Sequence, residues 1–191
     1  MTVLIDGMEI CGSTGNDASL PHSGVGMQLS NYPVGLKNGS LPHGSVTVKD
    51  LFVHNCSASG LDIENWVPHR IALSLDNLTI GRGVASHAQY WPGHPASGPP
   101  VPIALSPYDD AHLVGGVSFG PRPATIDMRD FASSPPRPRP WLSVTVQESP
   151  VGMTDVVGAA TVLTDDPSMC EVAVGRGGGA NVTVNVTCQA T

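Results

Sequence analysis

The chain has 191 residues, of which 40% are hydrophobic and only 13% charged, and its formal net charge is −7. Its two Lys and seven Arg form no basic cluster, which argues against nucleic acid as a partner, and no apolar run approaches the roughly 18 residues that a membrane span requires. The 22 Gly and 18 Pro, with no long amphipathic pattern, favour an all-β fold of short strands joined by tight turns.

Four segments of the chain share one gapless hydrophobic pattern: residues 3–10, 46–53, 73–80 and 112–119. Apolar residues fill the first, third, sixth and eighth places, except at His112, and the alternation changes phase at the fifth place. Period-two alternation marks a strand with one buried face, and a phase change needs a one-residue bend in a backbone region that Gly, Asn and Asp tolerate best. We therefore predict a structural bend column, stacked along the fold, formed by Gly7, Asp50, Asn77 and Gly116.

Two roles are open for the polar members of this column. The side chains of Asp50 and Asn77 either bond the backbone of the next coil or form a polar ladder that binds a cation. Gly at the other two places favours the structural role. In that role the glycosylation sequon at Asn77 is expected to stay unmodified.

A third short strand follows each bent pair, at residues 24–29, 60–63, 101–105 and 124–128. Three strands per unit, with like stacked on like, is the plan of a parallel β-helix. Residues 46–65 resemble one coil of the right-handed parallel β-helix (pectin-lyase-like) superfamily. The resemblance covers about residues 2–130. It implies an all-β, right-handed parallel β-helix of about four coils, and leaves function open because lyases, hydrolases, adhesins and tail spikes share this fold.

The last third of the chain has a different composition. Residues 132–140 are rich in Pro and predict a linker between the coils, residues 1–131, and a β-rich C-terminal segment, residues 141–191. Alternating stretches in that segment predict a small antiparallel cap or mini-sandwich, with a last irregular coil as the alternative. The Gly-rich residues 176–180 indicate a hairpin tip.

Asp109, Asp110 and His112 are the candidate catalytic cluster, since paired carboxylates beside a His can share acid and base roles in glycoside cleavage. Polygalacturonase-like members of the fold combine an Asp pair with Gly-His-Gly, Asn-Thr-Asp and Arg-x-Lys segments, and only the Asp pair is present here. The alternative is a turn that favours Asp.

Two further groups of residues are candidates for ligands. Tyr90, Trp91 and His94, in the long loop at residues 81–100, suit stacking on sugar rings, and the alternative is that Trp91 anchors the loop to the coil. No metal site is predicted, because the chain has no C-x-x-C pair. Calcium is the one cofactor to consider, since a calcium-dependent lyase resembling pectate lyase would need acids and a base on one strand face; the candidates are Asp62, Glu64, Asp127 and Arg129. The alternative, which the low charge content favours, is that these residues belong to a solvated face.

The cysteines and sequons favour an extracellular or cell-surface location, although the N-terminus does not resemble a signal peptide. Stacked coils would bring Cys11 near Cys56, and Cys170 and Cys188 flank the Gly-rich turn, so both pairs are predicted disulfides. The sequons expected to be glycosylated are Asn38, Asn55, Asn181 and Asn185.

These features together predict a non-catalytic extracellular or surface β-helix module for glycan binding or structural assembly. One alternative is a polysaccharide lyase or glycoside hydrolase of the same fold, and another is a segment of a trimeric phage tail spike. The first strand begins without a polar cap. Self-association, or continuation from a longer parent chain, is therefore expected at the open N-terminal coil.

Overall fold

The computed structural model describes residues 2–12, 24–30, 44–56, 59–64, 71–82, 101–106, 116–129, 140–144, 154–174 and 180–190. These residues are nearly all β: they form 14 strands and one short 3-10 helix, Pro167–Cys170. The strands lie in two sheets, and every pairing recorded between them is parallel. None of the described segments is a helix long and apolar enough to cross a membrane.

The larger sheet has nine strands, namely β1 (Thr2–Asp6), β2 (Glu9–Cys11), β4 (Gly44–Lys49), β5 (Phe52–His54), β7 (Ile71–Asp76), β8 (Thr79–Ile80), β10 (Val117–Asp127), β12 (Thr154–Thr164) and β14 (Ala180–Ala190). The smaller sheet has five, namely β3 (Met27–Ser30), β6 (Leu61–Glu64), β9 (Ile103–Ser106), β11 (Leu142–Val144) and β13 (Val172–Val174).

The chain repeats one path five times. Each repeat passes through the nine-stranded sheet, turns a corner within that sheet, and then adds one strand to the five-stranded sheet. In the first three repeats two strands meet at the corner, whereas β10 alone pairs with β7 before the corner and with β8 after it. Alternate side chains of both sheets point inward and form one apolar core, in which Phe119 meets Trp141 edge to face with ring centroids 5.7 Å apart.

The C-terminal segment extends these same two sheets. β11 pairs with β9 and β13, while β12 pairs with β10 and β14, all in parallel. The predicted antiparallel cap or mini-sandwich is therefore wrong, because the strands after residue 140 belong to the same two sheets as those before residue 130. The predicted hairpin around residues 176–180 is also wrong, since β13 and β14 belong to different sheets. Period-two alternation reports a buried face and carries no information about strand direction.

The corner of the first three repeats is a single residue with left-handed backbone. Gly7, Asp50 and Asn77 have φ values of 69°, 51° and 57°. They lie level with one another, because the residues before them are paired in register, Asp6 with Lys49 and Lys49 with Asp76. Each corner amide bonds the next repeat, as where Gly7 N donates to Lys49 O at 3.1 Å and Asp50 N to Asp76 O at 3.0 Å.

Gly116 does not belong to this column, which corrects the predicted register of the fourth repeat. Val117 pairs with Leu73, so Gly116 precedes the first strand of its repeat instead of following it. Its φ of 67° is left-handed, yet its carbonyl accepts from Leu73 N, far from Asn77. Residues 124–128, predicted to be a third strand, pair with β8 at the second position of the repeat. The hydrophobic pattern predicted the wrong register for this repeat because the corner of β10 is longer than one residue.

Candidate functional site

The corner of β10 leaves the regular path of its neighbours. Leu75 to Thr79 spans four residue steps, whereas the partner segment from Phe119 to Thr125 spans six. The extra length is taken up by the sequence Gly-Pro-Arg-Pro at residues 120–123, in which the Gly120–Pro121 bond is cis. Ser74 Oγ donates to Gly120 O at 2.7 Å and holds the start of this detour against β7.

A shallow groove of about 600 Å³ lies on the outer face of the nine-stranded sheet beside this detour. Its walls come from β7, β10, β12 and β14, and its polar side chains are neutral hydroxyl and amide groups. The Pro121 ring supplies an apolar edge. The side chains that line it include Ser74, Ser118, Pro121, Ala159, Thr183 and Asn185.

The floor of the groove depends on a close approach of two backbones. Gly158 has a φ of 126°, and a Cβ at that position would lie 2.0 Å from the Phe119 carbonyl oxygen. Only Gly can occupy this place without moving β10 away from β12. The small residues Gly158 and Ala159 therefore leave the space that the groove occupies.

Register places hydroxyl groups in a row across the sheet. Thr47 is level with Ser74, and Ser74 with Ser118. Val157 interrupts the row before Thr183 continues it. Neighbouring strands lie about 4.8 Å apart, so the outer face offers hydrogen-bonding groups at nearly regular intervals along the stack.

Arg122, in the middle of the detour, joins two carboxylates of the corner. Its Nη2 lies 2.9 Å from Asp76 Oδ2 and its Nη1 lies 2.9 Å from Asp50 Oδ1. Asn77 Nδ2 donates to the same Asp50 oxygen at 2.7 Å. The hydrogen bond from the Asn77 side-chain amide is the main cause that lowers the pKa of Asp50, and the Arg122 guanidinium is the next. Arg122 also lowers the pKa of Asp76. The corner column is thus a ladder in which Asp50 and Asn77 bond each other through their side chains, whereas the predicted structural role had them bond the backbone of the next coil.

The ladder continues to the first repeat through Lys49. Its Nζ lies 3.0 Å from Asp6 Oδ2 and 3.5 Å from Asp50 Oδ2. The bond to Asp6 raises the pKa of Lys49, which therefore stays charged. Cations and carboxylates alternate along the corner, so its described residues form no cluster of acids for an added cation.

The acids weighed for calcium do not share a strand face. Asp127 lies at the end of β10, where Arg129 Nε donates to its Oδ1 at 2.8 Å and Arg82 Nε is 3.5 Å from its Oδ2. Asp62 lies in β6 of the five-stranded sheet, where it is level with Ala104. Asp62 and Asp127 therefore lie in different sheets, and the predicted shared strand face is wrong. No group of three His, Cys, Asp or Glu side chains within the described ranges could hold a metal ion.

The predicted catalytic and aromatic candidates lie outside the described residues, and they remain predictions. These are Asp109, Asp110 and His112 in one segment, and Tyr90, Trp91 and His94 in the other.

One predicted disulfide is present and the other is not. Cys170, at the end of the 3-10 helix, is bonded to Cys188 in β14 with a Cα–Cα distance of 5.8 Å. Cys11 is level with His54, two residues before Cys56, and it is exposed while Cys56 is buried in the core. The two side chains therefore point to opposite sides of the sheet, and the predicted Cys11–Cys56 bond is wrong.

The sequons differ in the freedom of their amide groups. Asn77 Nδ2 is committed to Asp50 in a partly buried bond. Asn55, Asn181 and Asn185 are exposed, although Asn55 Nδ2 is hydrogen-bonded to His54 Nδ1 at 2.9 Å and Asn181 Nδ2 donates to Asp155 Oδ1 at 3.2 Å. Asn38 lies outside the described residues.

Neither the groove nor the role of Arg122 at the corner was predicted from the sequence. The lining groups come from four strands spread over 112 positions, from Ser74 to Asn185, and single Ser and Thr residues give no local signal. The Pro-Arg-Pro sequence in the detour was the one local sign of an irregular corner. No protein-family model, curated protein or solved structure matches this chain.

Proposed function

We propose that the chain is a non-catalytic extracellular or surface module whose two parallel sheets are faces of a right-handed parallel β-helix. The five repeats, each with two passes through one sheet and one pass through the other, support this arrangement. So does the stacking of equivalent residues in register from β1 to β7. A likeness to the pectin-lyase-like superfamily remains part of this proposal.

The ligand we propose is a glycan that lies in the groove beside the β10 detour. The observation that carries this proposal is the lining of neutral hydroxyl and amide side chains, from Ser74, Ser118, Thr183 and Asn185. Sugars present dense arrays of hydroxyl groups that both donate and accept, and Ser, Thr and Asn match them in both roles. The Pro121 ring offers an apolar surface for the C–H face of a sugar ring.

The charges near the groove argue for binding without catalysis. Hydrolysis of a glycosidic bond needs one carboxyl group that is protonated near neutral pH. Asp50 and Asp76, at the corner beside the β10 detour, have their pKa values lowered by hydrogen bonds from Asn77 and Arg122, which keeps them ionised. Carboxylates held in this state stabilise the corner and cannot supply a proton at neutral pH.

An extracellular or surface setting is supported by two features of the C-terminal repeats. The Cys170–Cys188 disulfide is of the kind that persists in oxidising compartments. Asn181 lies exposed on β14 within a sequon, whereas Asn185, which lines the groove, is proposed to stay unmodified.

The proposal is tested by measuring binding of the purified chain to a glycan array that contains neutral and uronate polysaccharides. A Ser118→Tyr variant fills the groove, and a Ser143→Tyr variant makes the same change on the outer side of β11 in the other sheet. We expect binding to weaken about tenfold or more in the first variant, since several hydrogen bonds of about 1 kcal/mol each are displaced, and to persist in the second.

Failure of the wild-type chain to bind any glycan would contradict the proposed ligand, as would equal binding by both variants. Turnover of uronans, with or without calcium, would contradict the non-catalytic role and favour the lyase or hydrolase alternative.

A further inference from the structure

The two ends of the nine-stranded sheet are built differently. At the N-terminal end, β1 and β2 are three to five residues long, are separated by the bend at Gly7, and carry Asp6 and Glu9. At the other end, β14 is a single strand of 11 residues with no charged residue and no Pro. Natural edge strands are usually short, bent, charged or interrupted by Pro, which prevents pairing with another chain. The first edge has these protections and β14 has none of them.

β14 is also the outermost strand of its sheet in the described part of the chain. It pairs with β12 along all 11 residues and with no other described strand. Its inward side chains Val182, Val184 and Val186 are only partly buried, whereas Val156 and Ala160, the β12 counterparts of Val182 and Val186, are buried. Apolar area therefore remains for a neighbouring strand to cover.

The sequence of β14 is nearly symmetric about its central residue. Residues 181–189 read Asn-Val-Thr-Val-Asn-Val-Thr-Cys-Gln, with Asn185 in the middle. An antiparallel copy centred there would place side chains of one kind opposite each other at every level. The opposed pairs are Asn181 with Gln189, Val182 with Cys188, Thr183 with Thr187, Val184 with Val186, and Asn185 with itself.

We propose that β14 pairs antiparallel with β14 of a second copy of this chain, about a two-fold axis that passes through Asn185. Such an isologous contact is closed, so it yields a dimer and no fibre. A two-fold axis normal to the sheet keeps the inward faces on one side, so the valines of both copies join one apolar layer. Thr183 and Thr187 of the two copies form cross-strand hydroxyl pairs on the outer face.

The dimer has a consequence for the groove. Asn185 lines the groove and also lies at the axis, so the two copies present their grooves side by side on one continuous face. A long glycan could then contact both copies at once, which increases its apparent affinity. The pairing itself does not rest on glycan binding, because it follows from the edge strand alone.

The experiment measures oligomeric state by light scattering over a range of protein concentrations. The chain is made with its disulfide in a bacterial host that adds no N-glycans, because a glycan on Asn185 would lie at the axis. We expect a concentration-dependent dimer. An Asn185→Asp variant places two carboxylates opposite each other, and the dimer dissociation constant should rise about tenfold or more. An Asn185→Lys variant should weaken the dimer for the same reason.

Mixing the two variants provides the decisive measurement. An equimolar mixture of Asn185→Asp and Asn185→Lys should restore dimerisation, because residue 185 meets residue 185 of the other copy only in the proposed register. Gln189→Glu is the matched control: it makes the same amide-to-carboxylate change on β14, but the new charge faces Asn181, so the dimer should persist.

A wild-type chain that stays monomeric at all concentrations would overturn the proposal. So would a dimer that is not restored in the mixture, which is the result expected if β14 paired head to tail with β1 of another copy. Because no glycan is present, these outcomes are independent of the proposed ligand.

Discussion

The nine-stranded sheet turns its corner in two ways, and the difference divides the N-terminal repeats from the C-terminal ones. In the first three repeats the corner is one residue, Gly7, Asp50 or Asn77, with positive φ and a change in the phase of alternation. In β12 and β14 the alternation runs unbroken, with Val156, Gly158, Ala160 and Val162 all on the inner side. β10 lies between the repeats with one-residue corners and the repeats with unbroken alternation. The detour at its residues 120–123 takes up the difference in length between them.

The comparison shows that the same corner can be stabilised by side chains or by backbone. The N-terminal corners are held by the ladder of Asn77, Asp50 and Arg122. The C-terminal corner depends on the contact of Gly158 with the Phe119 carbonyl. The first kind should tolerate substitution better than the second, because a side chain can adjust and a backbone contact at van der Waals distance cannot.

The largest effect is expected from Gly158→Ala. The new Cβ would overlap the Phe119 carbonyl oxygen, and the φ of 126° is strained for any residue with a side chain. We expect the free energy of unfolding to fall by about 3 kcal/mol or more, measured by urea denaturation. Gly120→Ala is the control, since a Cβ there meets nothing within 4 Å. Equal stability of the two variants would show that the β10–β12 contact is not constrained.

A smaller effect is expected at the N-terminal corner. Asn77→Ala and Asn77→Gly both remove the side-chain hydrogen bond to Asp50, but only Ala is strained at the φ of 57°. The Ala variant should therefore unfold more easily than the Gly variant by about 1–2 kcal/mol. Thermal or urea unfolding of the pair measures this difference directly. Identical unfolding curves would mean that the left-handed backbone contributes nothing at this corner.

The smallest effect at neutral pH, and a clear one in acid, is expected from Arg122→Gln. Folding lowers the pKa values of Asp76 and Asp50, so their ion pairs stabilise the fold above the unfolded-state pKa of about 3.9 and are lost as the pH falls through the folded value. Without Arg122 both folded values rise, and the midpoint of acid unfolding should move to higher pH.

Acid titration followed by circular dichroism checks this expectation. Arg82→Gln is the control, because Arg82 Nε lies at a longer distance, 3.5 Å, from the carboxylate of Asp127. A midpoint that stays in place in Arg122→Gln, or that moves equally in both variants, would remove Arg122 from its role at the corner.

Predictions from the sequence succeeded where a feature is local and repeated. The left-handed backbone at Gly7, Asp50 and Asn77 follows from a residue type and a phase change within eight positions. The Cys170–Cys188 bond is present, although the hairpin on which its prediction rested is not. Prediction failed at Gly116 because Pro121 and Arg122 lengthen the corner of β10, so that counting from the previous repeat selects the wrong strand.

The alternation of side chains alone determined that this protein is all-β and where its left-handed corners occur, because both properties depend on neighbours within a few residues. Only the tertiary structure decided that the C-terminal strands continue the same parallel sheets, that Cys11 and Cys56 point apart, and that a groove brings Ser74 and Asn185 together. Those outcomes depend on register between strands far apart in the chain. Period-two alternation is equally satisfied by either strand direction and by any shift of two residues.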